Sequence, residues 1–322
     1  MRLRKFFNRP AYEHNVFTSM SASVCDAEFV VKLYYAVSIY LSCKLLINVD
    51  ELAQPGVAWD FLWPLAWLSD NAERSLRIMA VLCFLASLAA FQFYRHAVAR
   101  ACFAGIFLLV ATVPNSLGGI NHPYHAWFLV GFLFIFLPDG RPADMNRAGK
   151  LSYLTVIRAA QSLFLLFYTM TGTWKLFFGT ASLAAGQFGN FSPEALPQTL
   201  ANRILQTGTD PLLADFIINN AWLAWPMFLC VIYIQVVSLA VAFRPRLHVL
   251  WGYFQIAFHL GTWLLMQIMF SEHVLLLAIL LVLSPQRTPF RLAALGDLPL
   301  LGWLFRLYLP AAHPSPIAAR QW

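Results

Sequence analysis

The stretch SLFLLFYTMTGTWKLFFG, residues 162–179, decides what kind of protein this is. Its first half is apolar enough for the interior of a lipid bilayer, yet it runs into a lysine, Lys175. A charge at that position is costly, so something must compensate it. Two readings stay open on pattern alone. Either the amine snorkels to the headgroups on its long stem, or it is a chemical group placed at a site.

The stretch is one part of an apolar run over 151–177, and the chain has several such runs. Of its 322 residues 60% are hydrophobic and 11% charged. A soluble domain carries about a quarter charged residues, so this composition belongs in a bilayer. The net charge of +7 lies in short basic clusters between apolar runs, the distribution expected of cytoplasmic loops rather than of a nucleic-acid surface. No nucleic-acid partner is expected. The basic N-terminus, MRLRKFFNRPAYEH, is not followed at once by an apolar core. The first long run starts near Phe29 without a small-residue cleavage pattern and reads as a retained signal anchor. Five cysteines form no CxxC pair, and four of them sit in apolar runs, so neither a metal site nor a disulfide framework is indicated.

A hydrocarbon core of about 30 Å asks for about 20 residues per helix. On that measure the apolar runs predict spans near 29–48, 76–94, 99–115, 121–138, 151–177, 221–243, 248–270 and 272–285. The fold class is therefore all-α, a polytopic helical bundle of about eight spans and one domain over 1–322. Residues 1–28 form a cytoplasmic N-terminal segment and 286–322 a cytoplasmic or interfacial tail. With eight spans both ends share one side, and that side collects Arg2, Arg4, Lys5, Arg9, Arg95, Arg100, Arg141, Arg147, Lys150, Arg244, Arg246, Arg287 and Arg291. The opposite loops hold mainly acids, so the positive-inside rule places both termini in the cytoplasm; the membrane is expected to be a bacterial inner membrane. Trp59, Trp63 and Trp67, four apart, predict a helix lying at the interface. SPEALPQTLANRIL, 192–205, reads as a short external helix with Ser192 and Pro193 at its start.

Polar residues inside the spans carry the functional signal. Gln161, Tyr168 and Lys175 are seven apart and share a helix face, which Thr171 joins one turn before the lysine. Arg158 lies beside Gln161 and reads as structural. Gln255, His259, Trp263 and Gln267, each four apart, form a second stripe. Polar groups in spans face the bundle interior or a wet cavity, because lipid offers no partner. In the assigned orientation Lys175, Asn121, His122, Tyr124, His125, Glu272 and His273 lie toward the external side. His259 lies about 11 residues below the external end of its span. Each also has a plain alternative: a snorkelling lysine, an interhelical histidine bond, polar loop residues.

Three of these places together resemble the HTTM group, the membrane module of vitamin K-dependent gamma-carboxylase and its bacterial relatives. FYTMTGTWKL supplies a Gly-x-x-Lys-Leu pattern at Gly172, Lys175 and Leu176. INHPYHAWFL supplies Asn-His-x-Tyr at Asn121, His122 and Tyr124, and AFHLGTWLLMQIMF a late-span histidine, His259. The resemblance implies that Lys175 is the base that deprotonates a vitamin K-type hydroquinone, with His122 and His259 as further catalytic residues. In the carboxylases oxygen then yields a strong alkoxide base, and a glutamyl carbanion takes up CO2. A lysine accepts a proton only as the neutral amine, the form that removal from water favours. Asn121, Tyr124, Tyr168, Thr171, Gln255 and Trp263 are the expected lining residues for the quinol, with Trp174 as a further apolar wall. No metal is expected. Trp174 stands where the carboxylases carry a second lysine, and the short C-terminal tail points to a smaller substrate or to a protein or peptide client at the external face. The alternative is a non-catalytic accessory or maturation protein, or a transporter, serving a periplasmic or secreted partner.

Overall fold

The computed structural model describes residues 10–49, 72–112, 124–286 and 292–308. Among these there is no strand. The main helices are α1 (Pro10–Ile47), α2 (Ala72–Gln92), α3 (Ala97–Thr112), α4 (His125–Phe134) and α5 (Arg147–Ala184). They continue as α6 (Ala195–Thr207), α7 (Ala214–Ile218), α8 (Ala221–Val236), α9 (Ser238–Ala242), α10 (His248–Met266), α11 (Ser271–Leu277) and α12 (Gly302–Tyr308). Four helical stretches are long and apolar enough to cross a membrane: Ser23–Ile47, Arg74–Gln92, Arg147–Ala184 and Pro245–Met266. Four shorter apolar helices, Ala97–Thr112, His125–Phe134, Ala221–Val236 and Ser271–Val282, fall at the other expected spans. The Trp-rich segment 57–70 lies outside the described residues, as do residues 1–9 with Arg2, Arg4, Lys5 and Arg9, while α1 already begins at Pro10 within the expected N-terminal segment.

Neighbours in sequence are neighbours in space: α1 packs on α2, α2 on α3, α3 on α4, and α4 on α5. With 38 residues α5 is about 57 Å long, longer than a hydrocarbon core requires. It is the hub, touching α1, α4, α8 and α9. Between α1, α3 and α4 lies an aromatic core. Tyr34 stacks on Trp127 at 4.8 Å and donates its hydroxyl to the Trp127 carbonyl at 2.7 Å. Gly131 makes room for that hydroxyl, which lies 2.5 Å from where a Cβ would be. A second, smaller core of Leu196, Leu200, Ile217, Ala224 and Leu265 ties the expected external helix α6 to α7, α8 and α10. The expected helix forms over Ala195–Thr207 rather than from Ser192; its N-cap is Glu194, which makes no side-chain cap bond, and the Ser192 hydroxyl accepts from the Glu194 amide before it.

Three of the described charges of the expected cytoplasmic set, Arg95, Arg100 and Arg246, are paired with carboxylates. Arg95 pairs with Glu28 at 2.7 Å, and Tyr94 donates to the same carboxylate oxygen. Buried Arg100 donates to the carbonyls of Tyr94 and Leu137 and pairs with Asp139 at 3.0 Å. It thereby serves the backbone acceptors left free where α4 ends. Arg158 donates twice to the Gln286 side chain. The tail pairs Arg246 with Asp297 and leaves Leu300, Trp303, Leu307 and Tyr308 exposed, the apolar face expected of an interfacial segment.

The crossing of α5 with α8 is the tightest constraint on the hub. A Cβ on Gly172 would lie 2.5 Å from the Val236 amide nitrogen and 2.7 Å from the Gln235 Cβ. Gly172→Ala is expected to force the two helices apart, at a cost of about 1–3 kcal/mol for overpacking. Thermal unfolding in detergent should therefore show a lowered midpoint, whereas Gly105→Ala, which meets nothing within 4 Å, should not lower it.

Candidate functional site

The chain beyond Gly172 turns a close helix crossing into a polar seam. Residues 169, 172 and 175 lie on one stripe of α5, three apart. Thr169 Oγ1 accepts from the Leu239 amide at 2.9 Å, where α8 has ended and α9 begins. Gly172 lets the backbones approach. One turn further on, Lys175 Nζ donates to Gln235 Oε1 at 2.7 Å. The Lys175 amine therefore has a polar partner on another helix and is not directed only at headgroups. It also stands 6.0 Å from the centre of the Phe258 ring. Asn190 donates to the Lys175 carbonyl at 2.8 Å, tying the start of the external segment to the same turn of α5.

Two turns back along α5, about 10.5 Å, Tyr168 meets α10. Its hydroxyl and His259 Nε2 are 2.7 Å apart, and both residues are buried. The other ring nitrogen, His259 Nδ1, is buried without a hydrogen-bond partner. If the phenol donates to Nε2, then Nδ1 carries the proton and is a donor awaiting an acceptor. With the other tautomer it is an acceptor awaiting a donor. Either way His259 Nδ1 is an unmatched polar atom, as is Gln255 Oε1 one turn away, and such atoms are costly in an apolar interior. Around it are rings. Phe258, Phe270 and His273 lie 5.1, 5.7 and 5.6 Å from the His259 ring centre. Among the described residues, Phe258 is thus a ring beside both His259 and the Lys175 amine.

Of the residues expected at the site, Lys175 lies on the seam with α8, and Tyr168 and His259 meet two turns back on α5 at its contact with α10. Gln255 is one turn below His259 and fully buried. Its amide donates to Ser238 Oγ at 2.8 Å, which anchors α10 to the start of α9. Tyr124 packs edge-on against Phe107 and lies within electrostatic reach of buried Glu272. Asn121 and His122 lie outside the described residues. Thr171 is exposed, and its hydroxyl turns back to the Phe167 carbonyl. Trp263 and Trp174 are half or more exposed, so the structure does not place them as walls of the seam. Gln267 does not continue the stripe. It takes a left-handed conformation at the end of α10 and donates to the Asp210 carbonyl. As a result α10 stops at Met266 rather than near 270, and His259 is seven residues, about 10.5 Å, from its end. The expectation of a deeper histidine is corrected accordingly.

Three groups at the seam were not singled out for it. Gln235 was hidden as the lone amide of an apolar span. His273 is expected at the external level but not beside His259, and Phe258 carries no expectation from the sequence. Glu272, next to His273, is buried with Lys44 3.9 Å away. No protein-family model, curated protein or solved structure matches the chain. The fold and seam define the class only: an all-helical protein with four helices fit to cross a membrane, and a Tyr–His pair and a lysine amine between its helices.

Tyr168→Phe removes the partner of His259 Nε2 and leaves the ring with two unmatched nitrogens. The expected loss is about 1–3 kcal/mol, read as a lower unfolding midpoint in detergent. Thr171→Val, which removes only a bond within its own helix, should leave the midpoint within about 0.5 kcal/mol of wild type.

Proposed function

We propose that this chain is a quinol-linked membrane enzyme in which Lys175 acts as base at an outward-facing pocket, as the resemblance to the carboxylase membrane module implies. The observation that carries the reading is the buried Tyr168–His259 pair with one nitrogen unmatched, set one phenyl ring from a lysine amine. A vitamin K-type hydroquinone suits those groups: it is flat, apolar and lipid-soluble, and its oxygens can match His259 Nδ1. When bound it supplies an acidic hydroxyl and, with oxygen, the oxidation chemistry. The Lys175 amine takes the hydroxyl proton at Nζ and becomes an ammonium, whose charge Gln235 Oε1 meets with its dipole. Tyr168 fixes the His259 ring, and Phe258, Phe270 and His273 exclude water around it. Protein glutamate carboxylation is one outcome of such chemistry, and reaction on a smaller substrate or a client at the external face is another.

The proposal includes an orientation. All eight apolar helices cross the membrane, both termini are cytoplasmic, and Lys175 lies toward the outside of a bacterial inner membrane. The grouping of Glu28, Arg95, Arg100 and Asp139 at one end supports this, because the positive-inside rule assigns that end to the cytoplasm. In a cysteine-free background, a cysteine at Thr199 should react with an impermeant thiol reagent added to intact cells, and one at Ala143 should not. The reverse pattern sinks the orientation.

The non-catalytic alternative, an accessory protein or a transporter, has one observation in its favour. The span over 221–242 is interrupted at Val237, and transporters bind substrate at interrupted helices. Turnover decides between them. Purified protein in lipid nanodiscs, given vitamin K hydroquinone, should consume oxygen above the protein-free rate. Lys175→Arg keeps the charge but cannot act as a base, so it should fall to background while remaining monodisperse. Equal rates in the two proteins would remove Lys175 as base and leave the non-catalytic reading.

A further inference from the structure

We infer that Gln235 is the positioning residue of Lys175: its side-chain carbonyl holds the amine inside the seam, over Phe258 and toward the Tyr168–His259 pair, and away from the headgroups. Three observations carry this. The contact is short, 2.7 Å from Nζ to Oε1, and Gln235 itself is 1% exposed, so its acceptor is not shared with solvent. The approach that makes the contact is built into the backbone, because Gly172 packs directly on Gln235 and Val236. The lysine is only half-buried and flanked by exposed Trp174, Leu176, Phe177 and Phe178, so an unheld amine has a free path outward along its own stem. A buried acceptor one helix away is what opposes that path.

The Gly-x-x-Lys spacing gains a physical account from this. Glycine one turn before the lysine brings α8 close enough for a glutamine to reach the amine. A larger residue at 172 would move the acceptor out of range. Gln235 acts through Lys175 and not on substrate, so it is a positioning residue and not a catalytic one.

The catalytic meaning of the inference rests on the proposed base role, but the amine's placement is measured without turnover. The probe is a sulfonated, membrane-impermeant N-hydroxysuccinimide ester applied to the protein in nanodiscs, with acylation of the Lys175 peptide followed by mass spectrometry. In wild type labelling should be slow. Gln235→Met keeps the length and removes the acceptor, and Gln235→Leu removes it with a different shape. Each should raise the labelling rate at least fivefold as the amine swings to the aqueous boundary. Gln235→Glu keeps an acceptor oxygen at the same reach and should stay at the wild-type rate or below it. Rates equal in wild type, Met and Leu variants would overturn the inference. So would a Glu variant as reactive as Met, because the oxygen would then not be what holds the amine. If the rates behave as expected but oxygen consumption is unchanged in Lys175→Arg, the positioning stands and the base role alone fails.

Discussion

A missing side chain at residue 172 fixes the geometry of everything around it. In hydrocarbon, helices gain nothing from hiding apolar surface, so close packing and interhelical hydrogen bonds must hold them together. Gly172 supplies the first and thereby permits the second. With the α5 and α8 backbones in contact, Thr169 reaches the Leu239 amide below the crossing and Lys175 reaches Gln235 above it. Both bonds depend on the same few tenths of an ångström.

The rest of the interior obeys the same rule, with different residues on each side. Gln161 donates to the Leu280 carbonyl and to Ser284 Oγ, next to the wide helical turn Ala278–Val282 that leaves its acceptors displaced from the usual ladder. Ser284 in turn meets His248 Nδ1, and the other nitrogen of His248 meets the Ala242 carbonyl. That histidine uses both ring nitrogens and is structural. His259 uses one. The contrast between two buried histidines eleven residues apart on one helix is what the proposed quinol contact at His259 Nδ1 rests on.

Much of this was legible in the sequence, and the boundary of legibility has a physical cause. Apolar run length located all eight apolar helices, because desolvation cost sums along a run whatever its neighbours are. The polar stripes located Tyr168, Lys175 and His259, because a polar side chain inside a span must find a partner. What periodicity could not supply is where a helix face points. Thr171 shares a face with Lys175 yet is exposed, because the seam with α8 is no wider than the glycine stripe. Trp263 shares a stripe with His259 yet is half exposed. Gln267 falls off its stripe because its left-handed conformation ends α10 at Met266. Gln235 escaped notice because a single amide in FLCVIYIQVV has no periodicity to reveal it, although its rarity in such a run was itself the signal.

The interruption at Val237 bears on how the seam works. A broken helix exposes backbone groups, and those groups make an ion or substrate path when they face a cavity. Here protein groups take them up. Thr169 accepts from the Leu239 amide, and Ser238 Oγ donates to Ile234 while accepting from Trp251 and Gln255. The Ser238 hydroxyl has its hydrogen and both its lone pairs in use, so it has nothing left for a passing ion. A sealed break of this kind fastens α10, through Trp251 and Gln255, to the point where α8 crosses α5. Because His259 lies one turn beyond Gln255 on α10 and Lys175 one turn beyond Gly172 on α5, the fastening sets the separation of imidazole and amine. Fixing two chemical groups relative to each other is what a catalytic site requires, whereas a transport path requires that such groups move.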